Sequence, residues 1–443
     1  NEVSPEEIHD AAIARCRSVA ELHAFTPASL DPAAVLPSQQ GFFTSVPTAV
    51  KDMVRIAGMP TTQGSDAWRP TPARKDGPFV RHFRALGFSI LGTSRMSEFG
   101  FLPTTEHPRL GAVPNPWNTA LTAGGSSSGA AALVASGALP LAHAVDGGGS
   151  IRIPAACTGL YGLKPTRRRL PLDSDLRHTP IQIAQNGVLT RSVRDTAAFY
   201  REMEKTYRPR RLRPIGDITG PSARRLRIAV CTASPTGDAS PEVRNHIHEV
   251  AAALSHFGHH VDTLDELALP PTLEGDFLAF WSLAAFLFTT TGRRRYDTSF
   301  DPGRLDPFTI WLAEKGKGNL RHSPIVTARL RRARQWTTKI YNDYDVLLTP
   351  TLAASPPQIG HLDPYTVPPE DLLERVTAWV RYTPLQNITG EPSMSIPTGR
   401  SADGGHIGSL ISAAHGDDAT LLHLAYELDR IYPWHPPLPT SKR

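Results

Sequence analysis

Two stretches of this sequence decide its interpretation, Ala123-Gly-Gly-Ser-Ser-Ser-Gly-Ala-Ala131 and Asp146-Gly-Gly-Gly-Ser-Ile-Arg-Ile-Pro154. In each, serine directly follows glycines, and an apolar, helix-like segment separates the two. Glycine adopts backbone conformations that other residues avoid, so such loops turn sharply and present a row of N–H groups. Hydroxyl groups beside converging N–H groups are what acyl transfer requires, because that chemistry needs a nucleophile and donors for an oxyanion.

Together with Val50-Lys51-Asp52, the two stretches closely resemble the amidase signature family of serine hydrolases, including fatty acid amide hydrolase-like members, in motif order and spacing. The resemblance is patchy beyond Arg169 and returns at Asn387-Ile-Thr-Gly-Glu-Pro392. It implies an α/β fold with a large mixed central sheet and helices on both faces. Alternation of helix and strand patterns over 79–86 and 89–93 agrees with this class.

The resemblance also implies a catalytic trio of Lys51, Ser126 and Ser150. Ser150 is expected to be the nucleophile, and Ser126, joined to Gly125 by a cis peptide, is expected to pass its proton to Lys51. A lysine is a base only when it is neutral, whereas an exposed lysine keeps a pKa near about 10.4. We therefore expect Lys51 to be buried, since burial disfavours its charged form.

The neighbours of this trio are expected to support it. Ser127 would assist by hydrogen bonding, and Asp146 and Arg152 would form a buried pair that holds the second loop. The oxyanion hole is expected to be the N–H groups of Gly147, Gly148 and Gly149, on which the Ser150 N–H can converge as well. Gly147 stands where many family members carry a side chain, which opens space beside this hole.

Simpler interpretations compete with these assignments. Three serines before an alanine-rich segment can cap a helix. The run 125–129 also matches the Gly-x-Ser-x-Gly elbow of Ser-His-Asp hydrolases, with Ser127 at its centre. The elbow is disfavoured because Asn118 to Ala123 is not a clear apolar strand and because it leaves the block 146–154 without a role.

Neither a metal nor a cofactor is predicted. The closely spaced histidines His246, His248, His256, His259 and His260 are interpreted as solvated side chains. The three cysteines have no ligand spacing and form no disulfide framework, which favours a reducing, cytoplasmic location.

The charge pattern excludes few classes of function. The formal net charge is +5, with arginine clusters at 167–169, 208–213 and 293–295. No nucleic-acid-binding motif accompanies them, so the predicted partner is a small-molecule amide, carbamate or ester, with the chain a monomer or homodimer. The apolar run 277–288 is too short to span a membrane; it predicts a buried helix or, alternatively, the aromatic lining of a pocket.

The 443 residues suffice for a large core. We expect one domain over 1–443, with a catalytic core segment over 51–195 and a variable substrate-binding or lid part over 206–343. The expected activity is hydrolysis of a C–N acyl bond in an apolar or aryl amide, anilide or carbamate, and possible ester cleavage is implied as well. Two alternatives stay open: the glutaminase subunit of a tRNA-dependent amidotransferase, and a catalytically idle binding or scaffold relative.

Overall fold

The computed structural model describes residues 3–27, 29–30, 40–173 and 179–434. The helices in these ranges are α1 (Pro5–Arg17), α2 (Pro78–Ala85), α3 (Ser128–Ala135), α4 (Arg152–Thr158), α5 (Val193–Thr206), α6 (Pro241–His256), α7 (Leu273–Arg295), α8 (Pro307–Gly318), α9 (Ser323–Arg332), α10 (Arg334–Asp343), α11 (Pro369–Trp379), α12 (Pro384–Thr389) and α13 (Asp418–Ile431). None of these helices is long and apolar enough to cross a membrane.

The strands of the described ranges are β1 (Pro47–Lys51), β2 (Ser89–Ser94), β3 (Glu106–His107), β4 (Gly111–Ala112), β5 (Pro114–Asn115), β6 (Asn118–Thr122), β7 (Leu141–Asp146), β8 (Tyr161–Lys164), β9 (Gln185–Thr190), β10 (Arg227–Val230), β11 (Ala233–Ser234), β12 (Gly237–Asp238), β13 (His260–Thr263), β14 (Val346–Pro350), β15 (Ser393–Arg400) and β16 (His406–Ala413). Eight of them form the central sheet, in the order β13-β10-β14-β16-β15-β8-β9-β7. The β13-β10-β14 end is parallel and the remaining pairs are antiparallel.

Helices cover both faces of this sheet, as alternate residues of single strands show. In β7, Leu141 packs with α2, α5 and α13 in the largest core cluster, whereas Ala142 and Ala144 pack with α3 and α4. Successive side chains of a strand point to opposite faces, so the two clusters lie on opposite sides of the sheet. The predicted α/β class with a mixed central sheet is confirmed.

A separate parallel pair, β1 and β2, lies against the β7 edge of the sheet. The Thr48 hydroxyl donates to the Leu141 carbonyl at 3.1 Å, and the Lys51 amide donates to Nδ1 of His143 at 3.2 Å. The lysine at the end of β1 is thereby brought beside the end of β7, from which the second glycine loop leaves.

A short strand, β6, occupies Asn118–Thr122; it forms a small antiparallel pair with β5 and does not enter the central sheet. The prediction that the closely spaced histidines are solvated was wrong for His259. His259 is buried, not solvated: its Nδ1 accepts from the Leu226 amide at 3.0 Å, and its Nε2 lies 3.1 Å from the Glu427 carboxylate.

Candidate active site

The first glycine-serine loop is tightly packed and contains a cis peptide between Gly125 and Ser126. A side chain at Gly125 would place its Cβ 2.9 Å from the backbone of Pro103, and one at Gly124, where φ is +71°, would meet the Cys157 sulfur at 2.7 Å. Such approaches are closer than real Cβ contacts. Glycine is therefore required at both positions for the loop to reach the end of β1.

Lys51 lies at the centre of the arrangement and is fully buried. Its Nζ donates to Ser126 Oγ at 2.8 Å, to Ser127 Oγ at 2.9 Å and to the Val145 carbonyl at 3.2 Å. Burial lowers the pKa of Lys51 from 10.5 to about 7, although the negative charge of Asp146 opposes the shift. A substantial fraction of Lys51 is therefore neutral near pH 7 and able to accept a proton.

His143 supports Lys51 from the neighbouring strand and was not singled out from the sequence. Burial lowers the pKa of His143 to about 3, so its ring is neutral. Because Nδ1 accepts from the Lys51 amide, Nε2 carries the proton and donates to Asn186 Oδ1 at 3.0 Å. The neutral ring satisfies the last amide of β1 without adding a charge beside the lysine.

The second loop is folded around the carboxylate of Asp146. This carboxylate accepts from the Gly149 amide at 2.8 Å and from the Ile151 amide at 3.1 Å. Among the described residues, no acceptor is found for the amides of Gly147, Gly148 or Ser150. Of the predicted oxyanion-hole glycines, Gly149 thus has its N–H engaged within the loop.

Asp146 and Arg152 form a fully buried ion pair. Two guanidinium nitrogens, Nε and Nη2, each lie 2.9 Å from a carboxylate oxygen of Asp146. Burial alone would raise the pKa of Asp146, but the charge and hydrogen bonds of Arg152 hold it well below its usual range. The carboxylate is therefore ionised near neutral pH, where it accepts hydrogen bonds from the loop amides.

Residues of α12 complete this support, and sequence reasoning assigned them no role. Arg152 donates to Gln386 at 3.1 Å and to Asn387 at 2.6 Å, while the Asn387 amide donates to the Asp146 carboxylate at 2.9 Å. The hydroxyl of Thr383 donates to the Gly148 carbonyl at 2.7 Å. The recurrence of family-like sequence at 387–392 was the available signal.

Both loops open into one cavity of about 220 Å³. Lys51, Ser126 and Ser150 line it, and Ser150 retains 8% of its surface exposed. The aromatic side chains of the wall are Phe99, Phe101, Phe277, Phe280, Trp281, Phe288 and Tyr382. The run 277–288 lies within α7, so it is both a largely buried helix and part of the cavity wall.

The competing interpretations of the first loop do not match the contacts. Ser127 occupies the N-cap position of α3, but its side chain makes no capping hydrogen bond and is directed to Lys51 and Val145 instead. The Ser127 hydroxyl contacts no histidine in the described structure, contrary to what a Ser-His-Asp elbow requires. In the same residues, no group of three or more His, Cys, Asp or Glu side chains is placed to hold a metal ion.

Solved structures with this fold are amidase signature enzymes. The structure of 6-aminohexanoate cyclic dimer hydrolase complexed with substrate aligns with a TM-score of 0.82 and 28% identity, over 99% of this chain and 96% of that one. A bacterial aryl acylamidase belonging to the amidase signature family aligns with a TM-score of 0.82 and 24% identity, over 98% and 94% of the two chains. The second likeness is one of fold alone. The class defined is thus that of the amidase signature fold.

The family model described as Amidase matches residues 7–422, and the chain belongs to this family. It is 47% identical over 437 residues to the putative amidase AmiC of Mycobacterium tuberculosis (strain CDC 1551 / Oshkosh), covering 98% of this chain and 92% of that protein. It is 32% identical over 425 residues to the 6-aminohexanoate-cyclic-dimer hydrolase of Paenarthrobacter ureafaciens, covering 89% and 84%. The protein is an amidase, a hydrolase that acts on C–N bonds.

Proposed function

We propose that this amidase cleaves amide bonds of apolar, aryl-containing substrates through an acyl-enzyme on Ser150, with Ser126 and Lys51 as the proton relay. The observation that carries the proposal is the 2.8 Å contact between Lys51 Nζ and Ser126 Oγ at the wall of the cavity that Ser150 also lines. A buried lysine beside hydroxyl groups is a base without a histidine.

The proposed reaction balances with these three groups. Ser150 Oγ attacks the carbonyl carbon while its proton passes to Ser126 and the Ser126 proton passes to neutral Lys51. The C–N bond then breaks as Ser126 gives its proton to the leaving nitrogen and is reprotonated by Lys51. Water repeats the sequence at the ester carbonyl and releases the acid and Ser150.

The oxyanion would be stabilised by backbone N–H groups of the second loop. Gly147, Gly148 and Ser150 carry the amides that have no acceptor among the described residues, so we assign the hole to them. The Gly149 amide, which donates to Asp146, would hold the loop in shape. This assignment removes the Gly149 amide from the predicted set.

The aromatic wall supports an apolar substrate. Phe101 lies edge-on to Trp281 at a centroid distance of 6.2 Å and stacks near Phe288 at 5.9 Å. Such a wall favours aryl or alkyl groups over strongly hydrated ones. One relative is named for the cyclic dimer of 6-aminohexanoate, a compound in which methylene chains separate the polar groups.

The assignment of the parts of the chain follows from this chemistry. The segment 51–195 contributes the trio and both loops, and 206–343 contributes α7 to the cavity. We propose that they act as the catalytic core and the substrate-binding part of one domain over 1–443. A cytoplasmic location and a monomeric or homodimeric state are part of the same proposal.

Turnover of matched aryl substrates tests the mechanism. An acyl p-nitroanilide, the corresponding p-nitrophenyl ester and a carbamate with the same leaving group are compared on the intact protein and on Ser150→Ala. Removal of the nucleophile is expected to lower kcat by about 10⁴-fold or more. Ser128→Ala is the matched control, because Ser128 lies in the first loop but bonds to Thr105 at 2.7 Å, away from Lys51.

The outcomes separate the candidates. Loss of turnover in Ser150→Ala with retention in Ser128→Ala supports the proposal, and the ranking of the three substrates identifies the preferred bond. Turnover that survives in Ser150→Ala contradicts it. Inactivity toward all three substrates, with glutamine hydrolysis appearing only when partner subunits are added, would identify a glutaminase subunit instead.

A further inference from the structure

The cavity lining also contains charged residues outside the trio. Besides Lys51, its charged lining residues in the described structure are Glu274, in the first turn of α7, and Arg381, which follows α11. Ser234 and Thr236 of the β11–β12 hairpin line the same cavity. An otherwise apolar cavity with a few convergent polar groups is typical of a site that orients its ligand.

Arg381 has donors to spare. Its Nη1 donates to the Asp238 carbonyl at 2.6 Å, which ties the side chain to the β11–β12 hairpin. Its Nε is buried without a hydrogen-bond partner, and its Nη2 bonds to no described residue. Gly237 allows this approach, because a Cβ there would lie 2.7 Å from Nη1. A buried donor without a partner is costly, which favours a ligand that accepts from this guanidinium.

Glu274 supplies the complementary acceptor. Its side chain is half-buried, and no donor to its carboxylate is found among the described residues. Burial raises the pKa of Glu274, while the positive charge of Arg381 opposes the shift. Glu274 and Arg381 are close enough to interact but are not in direct ion-pair contact.

We propose that Arg381 and Glu274 form a subsite for a second, unhydrolysed amide-like group of the substrate. Its C=O would accept from Arg381 and its N–H would donate to Glu274. This inference rests on the proposed function, because it takes the cavity beside Ser150 as the place where the substrate binds.

The opposite charges of the two residues favour a neutral group. A carboxylate would be attracted by Arg381 and repelled by Glu274, and an ammonium would meet the reverse combination. An amide, urea or carbamate carries both a donor and an acceptor and satisfies both residues at once. A methyl end satisfies neither and leaves them unpaired when the substrate displaces water.

The test uses p-nitroanilides of straight-chain acids that end in methyl, carboxamide, carboxylate or ammonium groups, each at several chain lengths. At the length that spans the cavity, kcat/KM for the carboxamide is expected to exceed that for the methyl end by about tenfold to a hundredfold. Arg381→Met and Glu274→Met should each remove most of this preference. Glu274→Met should then favour the carboxylate end, and Arg381→Met the ammonium end.

A control separates ligand binding from a purely structural role. Arg375→Met is the matched variant, because Arg375 lies on α11 and donates to the His361 carbonyl outside the cavity lining. It should leave the preference unchanged. If Arg381→Met lowers turnover of methyl and carboxamide ends equally, Arg381 only holds the hairpin and the subsite is refuted.

The failure of this inference is distinguishable from that of the proposed function. Equal kcat/KM for methyl and carboxamide ends at every length, with turnover that depends on Ser150, overturns the subsite and leaves the mechanism intact. Turnover that persists in Ser150→Ala overturns the mechanism on which the subsite rests.

Discussion

Acidification is expected to inactivate this amidase through Lys51. Only the neutral amine can accept the Ser126 proton, and burial lowers the pKa of Lys51 to about 7. The neutral fraction falls about tenfold for each pH unit below the pKa, so roughly 1% of Lys51 is neutral two units below it. A plot of kcat/KM against pH should therefore rise about fiftyfold from pH 5 to pH 7, rise about twofold more, and level off above about pH 8.

Three variants assign this inflection to its residue. Lys51→Met keeps the length of the side chain without a base, and Lys51→Arg keeps the charge but cannot deprotonate; both should be inactive at every pH. Lys164→Met is the matched control: burial also lowers the pKa of Lys164 to about 7, but its Nζ donates to the Pro165 carbonyl and touches neither serine. It should retain the inflection.

The assay is initial-rate hydrolysis of an acyl p-nitroanilide from pH 5 to pH 9, with folding checked by circular dichroism at each pH. A flat profile, or appreciable turnover by Lys51→Arg, would refute the role of Lys51 as base. If Lys164→Met keeps its activity but loses the inflection, the titrating group is Lys164 and not Lys51.

The lowered pKa of Lys51 also makes stability depend on pH. Folding lowers this pKa from 10.5 to about 7, so between these values the unfolded chain holds a proton that the folded chain has lost. Stability therefore rises with pH across that window, by about 1.4 kcal/mol per unit for this one group. From pH 7 to pH 9, the free energy of unfolding of the parent should rise by about 2 kcal/mol relative to that of Lys51→Met in urea unfolding.

Two further substitutions test the second loop. Gly149→Ala should destabilise the protein by about 1–3 kcal/mol and lower kcat strongly, because φ is +139° and the new methyl group would overlap the Thr383 hydroxyl. Thermal unfolding and turnover measure both effects. The control is Gly147→Ala, because the atom nearest to a Cβ at position 147 lies 3.9 Å away. Equal effects of the two alanines would contradict the steric argument. Arg152→Met should cost about 3–5 kcal/mol in denaturant unfolding, because it leaves the Asp146 charge buried and unpaired; a cost below about 1 kcal/mol would show that the pair does not hold the loop.

The family could be predicted because its motifs are short stretches of local sequence, and the α/β class and the mixed sheet were implied by the resemblance to that family. The glycine-serine motifs hold their geometry within a few residues: the Asp146 carboxylate reaches the amides of Gly149 and Ile151 in its own loop. The proximity of Lys51 and Ser126 was an expectation from motif order, and the structure places them 2.8 Å apart. The chemical roles of these residues stay predictions until turnover is measured.

The support from α12 could not be predicted, because it depends on contacts between distant parts of the chain. Arg152 meets Asn387 across 235 positions, and neither residue's local sequence indicates that partner. The competing interpretation of Ser127 as a helix cap fails for a similar reason. Local sequence alone favours a serine before a helix as its cap. In the structure, the Ser127 hydroxyl instead accepts a hydrogen bond from Lys51, 76 positions away at the end of β1.

The apolar run in α7 shows why hydropathy alone does not define a binding cavity. Phe280 packs in a cluster with residues of α9 and α12, whereas Phe288 packs with Phe99 and Phe101 in another. Phe277 and Trp281 also line the cavity. Side chains that pack in the core and side chains that contact a ligand are apolar for the same physical reason. The spacing of apolar residues in the sequence therefore does not distinguish the two. The distinction depends on polar residues outside the apolar run: Glu274 lies in the first turn of the same helix, and Arg381, which follows α11, also lines the cavity. If the kcat/KM measurements support the subsite, Arg381 and Glu274, and not the aromatic wall, determine which apolar amides the enzyme prefers as substrates.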